Sequence, residues 1–196
     1  MKRFEIKFDT SDVKLNKIIS NISLNYLHQQ RKVISIYYDT DDLKFFTDSE
    51  EGIVPRSKVR LRTYNNLNIL NLEIKETKND FRRKYIFKNV DEKKIYEVLK
   101  KNFFYKDKLK PIVKIEYNRK YFKCIYGRIT YDYGLKYTDL TYKNNQIFSN
   151  KTILELKNDN IDLKDKFIKK FFLKNVRFSK YCDAVNMFVN NDNLKK

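Results

Sequence analysis

Glycine and histidine are nearly missing from this 196-residue chain, and their scarcity excludes a good deal of chemistry. Three glycines, Gly52, Gly127 and Gly134, cannot build a P-loop or a dinucleotide-binding fingerprint, both of which need clustered glycines to bring backbone N–H groups onto phosphate. One histidine, His28, falls at the end of an expected first helix and is read as an ordinary surface or core residue. With no motif around it, neither Ser-His-Asp nor Cys-His chemistry is available. The two cysteines, Cys124 and Cys182, lie far apart, without Cys-x-x-Cys or zinc-finger spacing, and are read as buried free thiols of a reducing cytosol. No apolar run reaches transmembrane length, and the first eight residues alternate charged and apolar types rather than forming a targeting segment. The length suits one domain over residues 1–196, in a cytoplasmic setting.

What the chain has is positive charge. Forty-three basic against 25 acidic residues give a formal +18, enough to predict an anionic partner such as nucleic acid, polyphosphate or a membrane surface. Lysine is the weaker witness, because a chain rich in Lys, Asn, Ile, Tyr and Phe uses it freely on its surface. Arginine is the better probe: only 10 of the 43 cations are Arg, and a planar fork is hard to replace where phosphate geometry matters.

Alternation of apolar and polar residues predicts strands near 3–8, 32–38, 57–64, 69–76, 82–88, 111–124, 126–133 and 152–158, with weaker candidates at 136–148. Helical spacing appears at 11–27, capped by Ser11 or Asp12, and at 91–103, capped by Asp91, with further helices near 162–173 and 179–190. Turn signals fall at Asp39–Asp42, Glu51–Pro55, Asn65–Asn68, Lys78–Asp80 and Lys143–Asn150. Many strands with short connections predict an α+β fold in which an antiparallel barrel or curled sheet carries helices outside.

Each strand divides into an apolar and an ionic stripe. Phe4, Ile6 and Phe8 oppose Arg3, Glu5 and Lys7; Val59 and Leu61 oppose Lys58, Arg60, Arg62 and Tyr64; Leu70, Leu72 and Ile74 oppose Asn71, Glu73 and Lys75. Arg128, Thr130 and Asp132 share a face, as do Glu155 and Lys157. A sheet with one wet face would explain this, but two observations argue otherwise. The triplet Glu-aliphatic-Lys occurs three times, at 5–7, 73–75 and 155–157, where chance supplies about 0.4. Six of the ten arginines (Arg3, Arg60, Arg62, Arg82 or Arg83, Arg119 and Arg128) also fall on strands, a choice solvent does not require. With the apolar stripes against helices, the ionic stripes would line a lumen whose crowded cations call for a polyanion. A few carboxylates among them suit a divalent metal.

Seven pieces occur in an order that resembles the VTC (vacuolar transporter chaperone) polyphosphate polymerase domain of the triphosphate tunnel metalloenzyme, or CYTH-like, superfamily. They are Arg3-Phe4-Glu5-Ile6-Lys7, Ser35-Ile36-Tyr37-Tyr38-Asp39-Thr40, Lys58 to Tyr64 followed by Leu72-Glu73-Ile74-Lys75, Tyr117-Asn118-Arg119, Arg128 to Asp132, Ile153 to Lys157, and Phe178-Ser179-Lys180-Tyr181. The resemblance implies an antiparallel eight-stranded β-barrel tunnel in which ATP and inorganic polyphosphate meet around Mn or Mg. The implied reaction moves the γ-phosphate of ATP onto the polyphosphate end and releases ADP. Lys7, Arg60, Arg62, Lys75, Arg119, Arg128 and Lys180 would hold phosphates, with Tyr117, Glu5 and Glu73 at the substrate. Arg177 would stand one turn before Lys180, and Glu155 would hold the metal.

The chain departs from the hydrolytic relatives, which open with Glu-x-Glu-x-Lys, by carrying Arg3 at the first position, and this favours the polymerase branch. Triphosphate or polyphosphate hydrolysis and non-catalytic polyphosphate binding stay open as alternatives. Product translocation has no support in a chain without membrane helices, although a membrane-associated partner is compatible with it. Nucleic acid is expected to bind only non-specifically, since no recognition motif accompanies the charge. Asp39, Asp41 and Asp42 look like a metal cluster but sit at a strand end, where Asp makes turns or caps helices.

Overall fold

The computed structural model describes residues 4–23, 25–65, 68–79, 81–103, 109–141 and 145–193. Arg3 and parts of the expected turns at 65–68, 78–80 and 143–150 lie outside them. Among the described residues are nine strands: β1 (Phe4–Asp9), β2 (Asn25–Asp39), β3 (Arg56–Tyr64), β4 (Asn71–Lys78), β5 (Phe81–Phe87), β6 (Lys110–Cys124), β7 (Gly127–Asp139), β8 (Gln146–Ser149) and β9 (Ile153–Asn158). Five α-helices accompany them among the described residues: α1 (Asp12–Asn21), α2 (Lys44–Glu51), α3 (Ile95–Phe103), α4 (Ile161–Phe171) and α5 (Lys180–Asn193). Eight strands form one hydrogen-bonded path, β1-β9-β7-β6-β2-β3-β4-β5, and β8 pairs with β7. The fold is α+β with an antiparallel sheet, as the alternation predicts.

The chain groups into two compact units, one of residues 1–32, 117–135 and 148–178, the other of 33–116, 136–147 and 179–196. In the first, the apolar stripes of β1, β7 and β9 bury Phe8, Ile129, Tyr131, Leu154 and Leu156 against Leu15 and Ile18 of α1 and Phe167 and Phe171 of α4. Ser11 caps α1 by accepting the Lys14 N–H at 3.3 Å, and Asn160 caps α4 by accepting from Asp162 and Leu163. In the second unit, Val59, Leu61, Leu72 and Ile74 pack on Phe45 of α2 and Ile95 and Leu99 of α3. Each fully buried side chain of this size contributes about 1.5–3 kcal/mol. In both units the helices therefore cover the apolar stripes and leave the ionic stripes on the opposite face.

Three local expectations need correction. The first helix ends at Asn21 rather than residue 27; Ile22 is already extended, and Asn25–Leu27 open β2, where the Tyr26 and Phe122 rings lie 5.0 Å apart. His28 consequently sits on an exposed strand position, edge-on to Tyr121 at 5.5 Å, and not at a helix end. Helix α2 follows a turn that was all the sequence announced. The reason is that its cap comes from outside: Asp39 Oδ1 accepts the Phe45 N–H at 2.8 Å and Oδ2 the Phe46 N–H at 2.9 Å, while Gly52 at φ 78° ends it. Strand β7 also runs on to Asp139, absorbing the start of the weak 136–148 candidate and leaving β8 as its remainder. No helix among the described residues is long and apolar enough to cross a membrane.

Gly127 starts β7 at φ +120°, where a Cβ would lie 2.5 Å from the Lys157 carbonyl oxygen of β9. Gly127→Ala is therefore expected to destabilise the fold by about 2 kcal/mol, read as a lower denaturant midpoint at unchanged m-value. A midpoint equal to wild type would show that the close approach of the strands relaxes freely.

Candidate functional site

In the first unit, antiparallel register stacks ionic side chains into rows across three strands. Glu5, Lys157 and Arg128 face one another on β1, β9 and β7, and Lys7, Glu155 and Thr130 form the next row. Lys157 Nζ lies 2.7 Å from Glu155 Oε1 and 3.4 Å from Glu5 Oε2. Lys7 Nζ donates to the Phe178 carbonyl at 2.8 Å, and Arg128 is solvent-exposed. On β6, Arg119 forks onto Asp132, with Nε to Oδ1 at 2.5 Å and Nη2 to Oδ2 at 2.7 Å, and its guanidinium lies over the Tyr117 ring at 5.3 Å. Burial acts against the charged form of Arg119, but Tyr117 and Asp132 outweigh it and hold the pKa well above the usual value.

Glu155 is the chemically unusual group here. It is 5% exposed, and its Oε1 accepts no hydrogen bond among the described residues. The Lys157 ammonium is close enough for Coulomb attraction but is not aligned as a donor. Its cross-strand neighbour Thr130 likewise has a buried Oγ1 without a partner. Two buried oxygens left short of donors, side by side on one face, suit a hard cation that prefers oxygen ligands. No cluster of three His, Cys, Asp or Glu suited to a metal occurs among the described residues. Protein atoms would thus supply a minority of the coordination sphere, as Mg-type sites completed by substrate phosphates require. On that donor set the residues fit a divalent ion.

The second unit carries the denser charge. The register places Tyr37, Arg60 and Glu73 in one row, Ser35, Arg62 and Asn71 in the next, and Lys58, Lys75 and Lys84 in a third. Glu73 is the common counter-ion: Arg60 reaches its Oε2 with Nε at 2.8 Å and Nη2 at 2.5 Å, Lys84 reaches Oε1 at 2.8 Å, and Arg62 Nη1 stands 3.7 Å from Oε2. Burial alone would raise the Glu73 carboxyl, but Arg60, Arg62 and Lys84 reverse that and hold it at about 2. Arg60 Nη1 also donates to the Tyr37 hydroxyl at 2.7 Å, and Arg62 Nε to Ser35 Oγ at 3.0 Å. Burial pushes the Tyr37 phenol up, and Arg60, Arg62 and Lys58 together bring it down to about 8.

Helix α5 begins beside these residues. Lys180 is its first residue, Lys58 Nζ donates to Ser179 Oγ at 2.8 Å, and the Tyr181 ring stacks on Tyr37 at 5.1 Å and 11°. The Tyr181 hydroxyl donates to Asp39, and burial together with that carboxylate raises the phenol pKa far above its ordinary value. Asp39 is wholly buried by this bond and its α2 cap, which is the capping role expected of it and leaves no room for a metal.

The expected residues thus fall into two groups. Glu5, Lys7, Tyr117, Arg119, Arg128 and Glu155 share the first unit, and Arg60, Arg62, Glu73, Lys75 and Lys180 share the second. Arg177 belongs to the first unit, in the non-helical segment before α5, so "one turn before Lys180" does not describe it. Sequence reasoning did not select Lys58, Lys84, Tyr37, Thr130, Asp132 or Lys157 as site residues. Lys58, Thr130, Asp132 and Lys157 were legible as members of ionic stripes, and Tyr37 lay within one of the seven pieces without a role of its own; Lys84 carried no signal without the register.

A family model described as the VTC domain matches residues 3–189. Solved structures with the same fold include a Hippeastrum protein described as a candidate adenylyl cyclase with a dominant triphosphatase activity. It is 13% identical, with a TM-score of 0.59 over 95% of this chain and 96% of that one. A Pyrococcus horikoshii protein is 15% identical at TM-score 0.59, over 95% and 98% of the two chains. A Vibrio parahaemolyticus protein described as a candidate adenylate cyclase is 13% identical at TM-score 0.56, over 94% and 97%. No curated protein matches the sequence.

Two outcomes follow from the charge network. Because the Glu73 carboxyl ionises at about 2 in the fold against an ordinary 4.5, its contribution is fully present above pH 4.5 and is lost as pH falls towards 2. That contribution is about 3 kcal/mol, so Glu73→Gln is expected to flatten the stability profile between pH 4.5 and 2; a profile parallel to wild type would mean Glu73 is not the shared counter-ion. Separately, absorbance at 295 nm is expected to show one of the 15 tyrosines ionising near pH 8, with that step absent in Tyr37→Phe. Its persistence in the variant would assign the low phenol elsewhere.

Proposed function

The chain belongs to the VTC domain family, and from that premise we propose that residues 1–196 act as one metal-dependent polyphosphate polymerase domain of the cytoplasm, transferring the γ-phosphate of ATP to a growing inorganic polyphosphate chain. The observation that carries this reading is the second unit's ionic face. There Lys58, Lys75 and Lys84 stand directly opposite one another, beside Arg60 and Arg62, with Glu73 as the carboxylate among these five cations. Like charges in cross-strand register are destabilising unless a multivalent anion lies over them. A phosphate chain has the required charge density and repeat.

In the proposed reaction a terminal polyphosphate oxygen attacks the γ-phosphorus in line, the bond to the β–γ bridging oxygen breaks, and ADP leaves carrying that electron pair. The protein's work is to position the two phosphate chains and to neutralise charge on the transferring group. We assign phosphate binding to Lys7, Arg60, Arg62, Lys75, Arg119, Arg128, Arg177 and Lys180, and the Tyr117 ring supports Arg119. Glu73 and Glu5 act through the cations they touch, fixing Arg60 and Lys157 in place. Glu155, with Thr130 beside it, would hold Mn or Mg. When bound, such an ion withdraws charge from the phosphoryl oxygens. Arg3 in place of the hydrolases' first glutamate supports phosphate over water as the attacking group. The free thiols Cys124 and Cys182 support the cytoplasmic setting.

Purified protein incubated with ATP and Mn or Mg, with and without a short polyphosphate primer, is expected to lengthen chains in step with ADP release. Glu155→Gln is expected to cut turnover by about 10²–10³-fold while retaining nucleotide binding. Free phosphate without chain growth would make the protein a hydrolase, and binding without turnover a polyphosphate-binding domain; full turnover in the variant would remove Glu155 from the metal.

A further inference from the structure

The most exposed large apolar side chain in the described structure is Phe172, at 88%. It occupies the C-cap of α4 with φ 49°, ψ 49°, a left-handed position where glycine is the usual choice and a bulky aromatic is costly. The backbone there is fixed by the capping bonds of its N–H to the Ile168 and Lys169 carbonyls. Neither burial nor backbone preference explains a phenylalanine at this point.

Its surroundings are cationic. Lys14 of α1 donates to the Phe172 carbonyl at 3.2 Å, and Lys170 donates to the Asn21 carbonyl at 3.4 Å, so the two helices lie side by side within the first unit. Residues 13–23 and 166–176 contain no Asp or Glu; the bounding carboxylates are Asp12 and Asp165. They contribute Lys14, Lys17, Lys166, Lys169, Lys170 and Lys174, and Val13, next to Lys14, is 80% exposed. Lysines in the last turn of α4 complement the helix dipole, which accounts for Lys169 and Lys170 but not for Phe172, Val13 or the α1 cations.

We propose that this α1–α4 face docks the chain on an anionic phospholipid surface, with Phe172 entering the headgroup boundary and the lysines over the lipid phosphates and carboxylates. Three features favour a bilayer over nucleic acid. The six cations are all lysine, compact charges without the planar fork that reads phosphate geometry. Val13 is aliphatic and offers no face for a base to stack on. An aromatic rimmed by lysines is the composition of interfacial anchors, where each lysine near the surface adds about fivefold in affinity. The proposal is independent of the polymerase reading, since it uses none of the phosphate-binding residues assigned above.

The test is co-sedimentation of the full chain with phosphatidylcholine vesicles containing 30 mol% phosphatidylserine, or none. Wild type is expected to bind the anionic vesicles, weakly at high salt, and to leave the neutral ones. Phe172→Gly is the decisive variant, because glycine suits the left-handed cap and should keep or raise the melting temperature. It is expected to weaken vesicle binding about tenfold or more. Lys169→Glu with Lys170→Glu should lower it by about 20-fold or more, while Lys88→Glu with Lys100→Glu, exposed elsewhere, should lower it less. Wild type that ignores anionic vesicles, or binding unchanged in Phe172→Gly, would overturn the proposal. So would equal losses in the two charge-reversed pairs. An RNA oligonucleotide whose binding falls in Phe172→Gly while vesicle binding holds would reassign the face to nucleic acid.

Discussion

The two-residue period of a strand governs this protein, because it forces every strand that buries an apolar stripe to present its ions on the other side. Register then decides which ions meet. On β3, β4 and β5 the outcome is uneven: Arg60 meets Glu73, whereas Lys58, Lys75 and Lys84 meet one another. A sheet selected only for stability would offset such a row by a single-residue change of charge. Set beside a carboxylate already shared among Arg60, Arg62 and Lys84, that row is the feature of the fold that fits an anionic ligand.

A cationic face binds phosphate well only if its side chains are already in place, since each long side chain ordered on binding costs about 0.5–1.5 kcal/mol. The second unit orders Arg60 from two directions. Glu73 takes one side of the guanidinium, and Tyr37 accepts from the other. Tyr37 is in turn clamped by the Tyr181 ring, Tyr181 is bonded to Asp39, and Asp39 holds the first turn of α2. The chain from helix cap to guanidinium is continuous, with the two tyrosines buried between Asp39 and Arg60. It explains why a short helix with no sequence signature of its own belongs to the architecture of the site. The first unit achieves the same with fewer parts, through the fork of Arg119 on Asp132 and the Tyr117 ring beneath it.

The stripes were readable in the sequence because they depend on local alternation alone. Arg60, Arg62, Glu73, Lys75 and Glu155 could be set on ionic faces before any partner was known. What alternation cannot supply is the partner strand. That Lys84 reaches Glu73, or that Thr130 stands opposite Glu155, depends on β4–β5 and β7–β9 register, which no residue on a single strand encodes. The same limit explains the missed α2, whose capping carboxylate sits five residues upstream on a strand. It also explains the overlong first helix, because the apolar spacing of Leu15, Ile18 and Ile22 runs unbroken towards Tyr26 until pairing with β6 claims it. Errors of this kind sit where tertiary contacts override local pattern.

The sparse protein donors around Glu155 have a chemical consequence. An ion caged by three or four carboxylates would be neutralised before substrate arrived and would bind phosphate weakly. One carboxylate, with a hydroxyl and a lysine 2.7 Å away, leaves the neighbourhood short of negative charge. Triphosphate and ion would then complete each other's coordination, so that metal affinity depends on nucleotide and nucleotide affinity on metal by the same factor. Lys157 bears on that exchange: its ammonium, 2.7 Å from Glu155 Oε1, would be repelled by a divalent ion taking the same oxygen. On the proposed assignment, the ion would bind with substrate rather than before it.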